Sequence, residues 1–325
     1  MLKLLSLFSG IGAFEKALTN IGEPFKVVNY CEIDKHASKA YSLIHGIEER
    51  KNLIDVTKIN TDLLPNDIDI LTYGFPCQDI SNAGKQRGFT NENGELTRSG
   101  LFFEALRIIE DTKPKIAIAE NVKALTTNKF KTEFKIVLDS LSEAGYINYA
   151  KILNAKNYGI PQNRERVFII SIRKDIEHGF EFPQPYELKK RVKDLQETNV
   201  DDKYYLSESR ILALFNHKKR NAEKGNGFGA RFITGSDIAS ALVTSPDKST
   251  GQYLIIGDNK IRKFSPIESF RLMGFDDQDI NILINNGISD AQLYKMAGNS
   301  IVVDVLEEIF VELLNQYENI FPIGG

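Results

Sequence analysis

Short apolar runs alternate with amphipathic helical segments along the first 175 or so residues of the chain. The apolar runs typical of β-strands are residues 4–8, 27–30, 68–73, 116–119 and 167–171. Between them, residues 14–21, 101–111 and 130–144 carry apolar side chains at the 3.6-residue spacing of a helix. This alternation predicts an α/β fold, a doubly wound and mostly parallel sheet covered by helices on both faces. Functional residues are then expected at the carboxyl ends of the strands.

The pattern changes after Lys174, which predicts three regions. Residues 1–174 form the sheet domain, and residues 175–263 form a smaller, loop-rich domain with more Gly, Asn, Ser and Lys. Residues 264–325 form a return segment that ends in an amphipathic helix. That helix carries one apolar face and is expected to pack on the first domain; its apolar residues are Ile301, Val305, Ile309 and Leu313.

The composition is that of a soluble globular enzyme, with 42% hydrophobic and 26% charged residues. We expect no membrane segment, because no apolar stretch reaches the ~20 residues of a span and the N-terminus does not resemble a signal peptide. The two cysteines, Cys31 and Cys77, provide neither a disulfide framework nor zinc-ligand spacing. A reducing cytoplasm and the absence of a bound metal are therefore expected.

The net charge of −3 hides an uneven distribution. Residues 186–263 hold 15 Lys and Arg against 10 Asp and Glu, whereas the rest of the chain holds 26 against 34. Basic clusters lie at residues 189–193 and 217–224. A basic lobe beside an acidic body is typical of a module that contacts phosphates, although a merely solvated surface is the alternative.

A glycine-containing loop, residues 8–14, follows the first predicted strand and opens a helix. Its glycines allow the backbone to approach a ligand, although a simple tight turn is the alternative. The third glycine of a dinucleotide site is absent, and Phe14 at that point suits stacking on an adenine. Glu32 ends the second strand, where an acid accepts hydrogen bonds from ribose hydroxyls, and Asp55 could accept from an adenine amino group. Together they favour an adenosine-containing cofactor without a diphosphate, with S-adenosylmethionine as the candidate.

Reactive side chains also lie next to three other predicted strands. Cys77 lies in a proline-containing turn after the strand 68–73, which favours a nucleophile over the alternative of a buried structural thiol. Glu120 follows four apolar residues, so burial would suit it to proton donation. Arg164 and Arg166 precede the strand 167–171 and could fix an oxygen or a phosphate, or could form surface ion pairs.

In this order, the motifs resemble those of the bacterial cytosine-5 DNA methyltransferases of restriction–modification systems. The resemblance covers nearly the whole chain, and its motifs are residues 8–12, 76–78, 120–122, 162–166, 266–275 and 297–301. It implies the fold of S-adenosylmethionine-dependent methyltransferases. It also implies that residues 1–174 hold the catalytic and cofactor sites and that residues 175–263 recognise the DNA target.

The resemblance implies a mechanism on a cytosine flipped out of the duplex. Cys77 attacks carbon 6, Glu120 holds or protonates ring N3, and Arg166 with Arg164 binds the exocyclic oxygen. The cofactor pocket implied by the family is lined by Phe8, Gly10, Gly12, Phe14, Glu32, Ile33, Asp55, Val56, Pro76, Leu101 and Asn299. The DNA contacts implied are Ser81, Arg87, Phe228, which would fill the hole left by the base, and Arg231, which would read a guanine.

The expected partner is double-stranded DNA, bound by a monomeric cytoplasmic protein associated with the nucleoid, with a cognate restriction endonuclease acting on the same site. Two rival functions stand beside this one. A transfer-RNA cytosine methyltransferase shares the motifs, but its Cys-Phe-Thr signature is absent and no cysteine follows Cys77. A catalytically silent DNA-binding regulator is disfavoured because Cys77, Glu120 and Arg166 are intact.

Overall fold

The structure, a computed structural model, describes residues 1–76, 89, 98–227, 229–257 and 260–318, with the backbone alone at 98 and 99. The chain divides into two compact units. The first unit comprises residues 1–153, 165–184 and 305–325, and the second comprises residues 154–164 and 185–304.

Strands and helices are numbered here in chain order. The strands are β1 (Leu2–Leu7), β2 (Phe25–Cys31), β3 (Ile70–Tyr73), β4 (Ile116–Val122), β5 (Tyr146–Asn154), β6 (Gln162–Asn163), β7 (Glu165–Arg173), β8 (Arg231–Ile233), β9 (Ala239–Ser240), β10 (Gln252–Ile256) and β11 (Lys260–Arg262). The α-helices are α1 (Ala13–Asn20), α2 (Lys35–His45), α3 (Phe102–Thr112), α4 (Lys131–Glu143), α5 (Glu208–Glu223), α6 (Pro266–Arg271), α7 (Asp277–Asn285), α8 (Asp290–Asn299) and α9 (Val303–Gln316).

Six strands form the sheet of the first unit, in the order β2-β1-β3-β4-β7-β5. Strand β1 pairs in parallel with β2 and β3, and β3 pairs in parallel with β4. The predicted α/β fold with a mostly parallel sheet is therefore confirmed. Strand β7, however, runs antiparallel to β4. The chain between β5 and β7 contains no α-helix that could carry the crossover of a parallel unit, which explains the departure from simple alternation.

The core of the first unit lies between the central sheet and its helices. Strands β3 and β4 read as nearly continuous apolar runs because both of their faces are covered, as in other parallel sheets. Helix α3 contributes the side chains that follow its 3.6-residue spacing, namely Phe102, Ala105, Ile108, Ile109 and Thr112, all buried. Full burial of each large apolar side chain stabilises the fold by about 1.5–3 kcal/mol.

The second unit contains short strands and α-helices α5 to α8 among its described residues. Strand β10 pairs in parallel with β8 and antiparallel with β11, and β6 pairs in parallel with β9. Helix α5 was not predicted from the sequence. Leu214 is the one buried residue among its 16, and a helix that is polar nearly all round lacks an apolar stripe. Helix α6 begins with a capping box between Ser265 and Glu268.

The C-terminal helix α9 lies in the first unit from Val305 onward. The ring of Phe310 meets Phe14 edge to face at 6.4 Å, and the Asn20 side chain donates a hydrogen bond to Glu307 Oε1 at 2.6 Å. These contacts join the end of the chain to its first helix. In the described part of the chain, no helix has both the length and the apolar character of a membrane span.

Candidate active site

The loop after β1 has an unusual backbone. Phe8, Gly10 and Gly12 all have positive φ angles, of 52°, 56° and 80°. A Cβ at position 12 would lie 2.1 Å from His45 Nε2, so only glycine fits there. Phe8 is strained for a residue with a side chain, and such strain is typical of ligand-binding loops. Phe14, in contrast, is 5% exposed, and the protein itself covers most of its ring.

Glu32 follows β2 and is tied to this loop. Its carboxylate accepts hydrogen bonds from the backbone N–H groups of Gly10, at 2.8 Å, and Asp34, at 2.7 Å. Each carboxylate oxygen can accept more than one hydrogen bond, so these bonds orient the group and leave it able to accept from a ligand. The next side chain, Ile33, is 73% exposed and offers an apolar surface beside the acid.

Asp55 lies at the start of a short 3-10 turn, Val56–Lys58. Its Oδ1 atom accepts from the Thr57 N–H at 3.1 Å and from Thr57 Oγ1 at 2.8 Å, and these hydrogen bonds lower the pKa of the Asp55 carboxyl. Val56 is buried in the core, and Leu101 packs partly buried against the same core at the start of α3.

Glu120 and Arg166 form an ion pair at the end of strand β4. Arg166 Nε lies 2.9 Å from Glu120 Oε1. The side chains are largely buried, with 19% of Arg166 and 13% of Glu120 exposed. The other oxygen, Oε2, would lie 3.8 Å from a Cβ built on Gly74, three residues before Cys77 in the chain. The pair therefore brings a carboxylate and a guanidinium together beside the segment that leads to the predicted nucleophile.

Asn121 was not predicted as a site residue, and the structure gives it a clear role. Its buried side chain donates to the Phe75 carbonyl oxygen at 3.0 Å and accepts from the Val122 N–H at 2.8 Å. The amide thus fastens the end of β4 to the residues before Pro76. The signal available in the sequence is an amide directly after a strand-ending acid, a pattern that suits a helix cap equally well.

Arg164 has contacts different from those predicted. Arg164 is 3% exposed, and its guanidinium donates to three backbone carbonyl oxygens of the second unit, those of Leu242, Gly298 and Ser300, at 3.2, 3.1 and 2.7 Å. The motif predicts that Arg164 contacts the base beside Arg166. Burial and three carbonyl acceptors favour a structural role instead. The carbonyl oxygens already accept from the terminal N–H groups of the guanidinium, which are the donors that a base would need.

Arg164 belongs to a clamp around the backbone of Leu242. The Leu242 N–H donates to Gln162 Oε1 at 2.9 Å, so side chains from one motif hold both polar groups of that residue. On the other side, a Cβ at Gly298 would lie 2.5 Å from Thr244 N, which makes glycine necessary. The carbonyls that Arg164 holds flank Asn299, the predicted cofactor residue of the second unit.

Four predicted residues, Cys77, Ser81, Arg87 and Phe228, lie outside the described residues, and Pro76 is the last described residue before Cys77. Arg231 is described: its guanidinium contacts Ser240 Oγ and the Ile238 carbonyl oxygen, the latter at 3.3 Å. It lines a cavity in the second unit together with Ser240, Gln252 and Tyr294. The cavity therefore lies next to the residue predicted to read a base.

The sheet order and the glycine loop with its strand-ending acid define the class as the methyltransferase fold. The chain matches the family C-5 cytosine-specific DNA methylase over residues 2–315 and belongs to it. The family predicted from the motifs is thus confirmed, and the protein is a C-5 cytosine DNA methyltransferase.

Known relatives agree with this assignment. The chain is 38% identical to the type II methyltransferase M1.ScrFI of Lactococcus lactis subsp. cremoris, covering 97% of this chain and 79% of that protein. It is 36% identical to the type II methyltransferase M.HhaI of Haemophilus parahaemolyticus, covering 95% and 93%. Its fold is similar to that of S. pombe Dnmt2 methyltransferase, with a TM-score of 0.74 at 21% identity over 97% of this chain and 99% of that one.

Proposed function

We propose that the protein transfers a methyl group from S-adenosylmethionine to carbon 5 of a cytosine flipped out of a short duplex DNA site. The observation that carries this proposal is the ion pair of Glu120 and Arg166 beside Gly74. A carboxylate and a guanidinium are the groups needed to hold N3 and the exocyclic oxygen of a cytosine ring.

In the proposed reaction, the Cys77 thiolate adds to carbon 6, and the ring electrons move toward carbon 5 while N3 takes up a proton held by Glu120. Arg166 binds the exocyclic oxygen and keeps the Glu120 carboxyl in position. Carbon 5 then accepts the methyl group, and a base removes the proton from that carbon. The thiolate leaves carbon 6, and N3 returns its proton to Glu120, which restores the aromatic ring. The covalent step is required because carbon 5 of an unactivated cytosine is a poor nucleophile.

The first unit fits the adenosine end of S-adenosylmethionine, which would supply the methyl group when bound. The exposed Ile33 provides an apolar surface for a purine ring, and the Glu32 and Asp55 carboxylates can accept hydrogen bonds from its ribose and amino groups. The positive φ angles of Phe8 and Gly10 support a loop shaped around a ligand.

Residues 175–263 are proposed to bind the DNA target. Support comes from α5, where the exposed Lys218 and Lys219 lie on a helix whose Phe215 stacks on Phe232 at 4.7 Å, and from Arg231 at the cavity. Cations of this kind contact phosphates, and Arg231 would contact a base edge. We further propose that the enzyme acts as a cytoplasmic, nucleoid-associated monomer and protects host DNA from a cognate endonuclease.

The test is to incubate the purified protein with labelled S-adenosylmethionine and either duplex DNA or transfer RNA. Label in DNA is expected, and label in transfer RNA alone would overturn the proposal. Duplexes containing 5-fluorocytosine should trap a covalent adduct with the wild-type protein but not with Cys77→Ala. Bisulfite sequencing of DNA from expressing cells would then identify the methylated site.

A further inference from the structure

The side chain of Asn52 lies between the two acids of the proposed cofactor site. Its Oδ1 atom accepts from the N–H groups of Glu32, at 3.0 Å, and Ile54, at 2.8 Å. Its Nδ2 atom donates to the Glu32 carbonyl oxygen at 2.9 Å and to Ser38 Oγ at 2.8 Å. A side-chain amide has two donor hydrogens and two acceptor lone pairs, so Asn52 uses all four.

These bonds join three separate pieces of the first unit. Both backbone polar groups of Glu32 are held by one side chain, and the Glu32 carboxylate in turn accepts from the Gly10 N–H. Ser38 fastens the same amide to helix α2, and its hydroxyl is also 3.1 Å from the Tyr30 hydroxyl. Asn52 is thus connected to the glycine loop through a single intervening residue, Glu32.

The other end of the network reaches Asp55 through a tight turn. Ile54 has a φ of 63°, and the Asp55 N–H donates to the Leu53 carbonyl oxygen at 2.8 Å across it. A β-branched residue is strained in this region, and the strained turn persists only if its surroundings hold it. The bond from the Ile54 N–H to Asn52 provides such a hold.

We infer that Asn52 is a positioning residue that fixes the separation of Glu32 and Asp55 and thereby sets the affinity for the adenosine part of the cofactor. The inference rests on the proposed function. No other amino acid offers two acceptor and two donor sites at this length. Aspartate keeps the acceptor bonds to the two N–H groups, loses both donors and places an oxygen against the Glu32 carbonyl.

The experiment measures the dissociation constant of S-adenosylhomocysteine, which shares the adenosine but does not react, by titration calorimetry. Asn52→Ala and Asn52→Asp are each expected to raise this constant about 10-fold or more, since Asp exchanges two donor bonds for a repulsion with the Glu32 carbonyl oxygen. At saturating S-adenosylmethionine, the single-turnover methylation rate of both variants should stay within about threefold of wild type, because no reacting group has changed. Asn60→Ala is the matched control, since Asn60 caps an exposed turn by accepting from the Asp62 N–H at 3.1 Å.

The melting temperature of each ligand-free variant separates positioning from stability. A lower melting temperature with an unchanged dissociation constant would assign Asn52 a merely structural role and overturn the inference. If Asn52→Ala does not fold, Asn52→Asp decides by the same criterion, because it retains two of the four bonds. Failure of the wild-type protein to bind S-adenosylhomocysteine would contradict both the proposed function and the inference about Asn52. Wild-type affinity in the Asn52 variants would contradict the inference alone.

Discussion

Arg166 Nε lies 2.9 Å from Glu120 Oε1, across two strands that run antiparallel. In the register of these strands, Glu120 faces Phe168, and Arg166 faces Val122. The charged residues are therefore diagonal neighbours on one face of the sheet, a separation that a long arginine side chain spans. The antiparallel orientation of β7 relative to β4 creates this pair, and strand-helix alternation did not predict that orientation.

Replacement of Arg166 by alanine should lower the single-turnover rate of methyl transfer by about 10²- to 10³-fold, as for other groups that stabilise developing charge. Lys123→Ala is the matched control, because Lys123 pairs with Glu165 at the same 2.9 Å but with both side chains 40% or more exposed. An exposed pair contributes little, so this variant should keep its rate. Equal reductions in the two variants would contradict a role specific to Arg166.

Arg164→Ala should act on stability. It leaves three buried carbonyl groups without their donor, which should lower the free energy of unfolding by about 3 kcal/mol and the melting temperature by roughly 5–10 °C. Calorimetry on the ligand-free protein measures this. A variant with the wild-type melting temperature but the activity of Arg166→Ala would instead support the sequence-based prediction that Arg164 contacts the base.

The two cysteines should differ sharply in reactivity. Cys31 is 2% exposed, and burial, reinforced by Glu32 and Asp55, raises the pKa of its thiol to about 12. Because the thiolate is the reactive form, iodoacetamide at about pH 8 should modify one thiol in the native protein and two after denaturation. Mass spectrometry should place the native label on Cys77, and Cys77→Ser should take up none. Native labelling of that variant would contradict the assignment.

His45 should make the fold sensitive to acid. Burial lowers the pKa of its imidazole below the ordinary value of about 6.5, and Nε2 lies 3.0 Å from the Ile11 carbonyl oxygen. The unfolded chain then binds a proton more readily than the folded one, so this contribution is fully present above about pH 6.5 and is lost as the pH falls toward the folded-state pKa. His45→Gln should flatten that part of the stability curve measured by urea unfolding; an unchanged slope would exclude His45 as its source.

The basic surface of α5 should contribute to DNA binding through phosphates. Removing one phosphate-binding cation should reduce the slope of log affinity against log salt by about 0.9. Lys218→Gln combined with Lys219→Gln should therefore give a shallower slope in a duplex-binding titration. Lys26→Gln changes an exposed lysine of the first unit and serves as the control. The same slope in the wild type, the double variant and the control would show that α5 does not bind the DNA backbone.

Much of the fold follows from strong local patterns in the chain. The strand-helix alternation predicted the α/β sheet, and α1, α3 and α4 lie within one residue of the predicted segments. Helix α5 and the antiparallel orientation of β7 do not follow from such patterns, because α5 carries no apolar stripe and no crossover helix precedes β7. Asn121 and Asn52 were not predicted as functional residues either, because the pattern at Asn121 suits a helix cap equally well and a lone asparagine such as Asn52 carries no pattern.

By itself, the sequence determined the family, the order of the motifs and the chemical identities of the strand-ending residues, because these depend on neighbours along the chain. Only the tertiary structure decided that Arg166 forms the ion pair with Glu120 and that the Arg164 guanidinium donates to backbone carbonyl groups instead. That choice depends on strand register and on residues more than 70 positions away in the chain, such as Leu242 and Ser300. Hydrogen-bonding capacity is a property of a residue type, but its partners are set by packing.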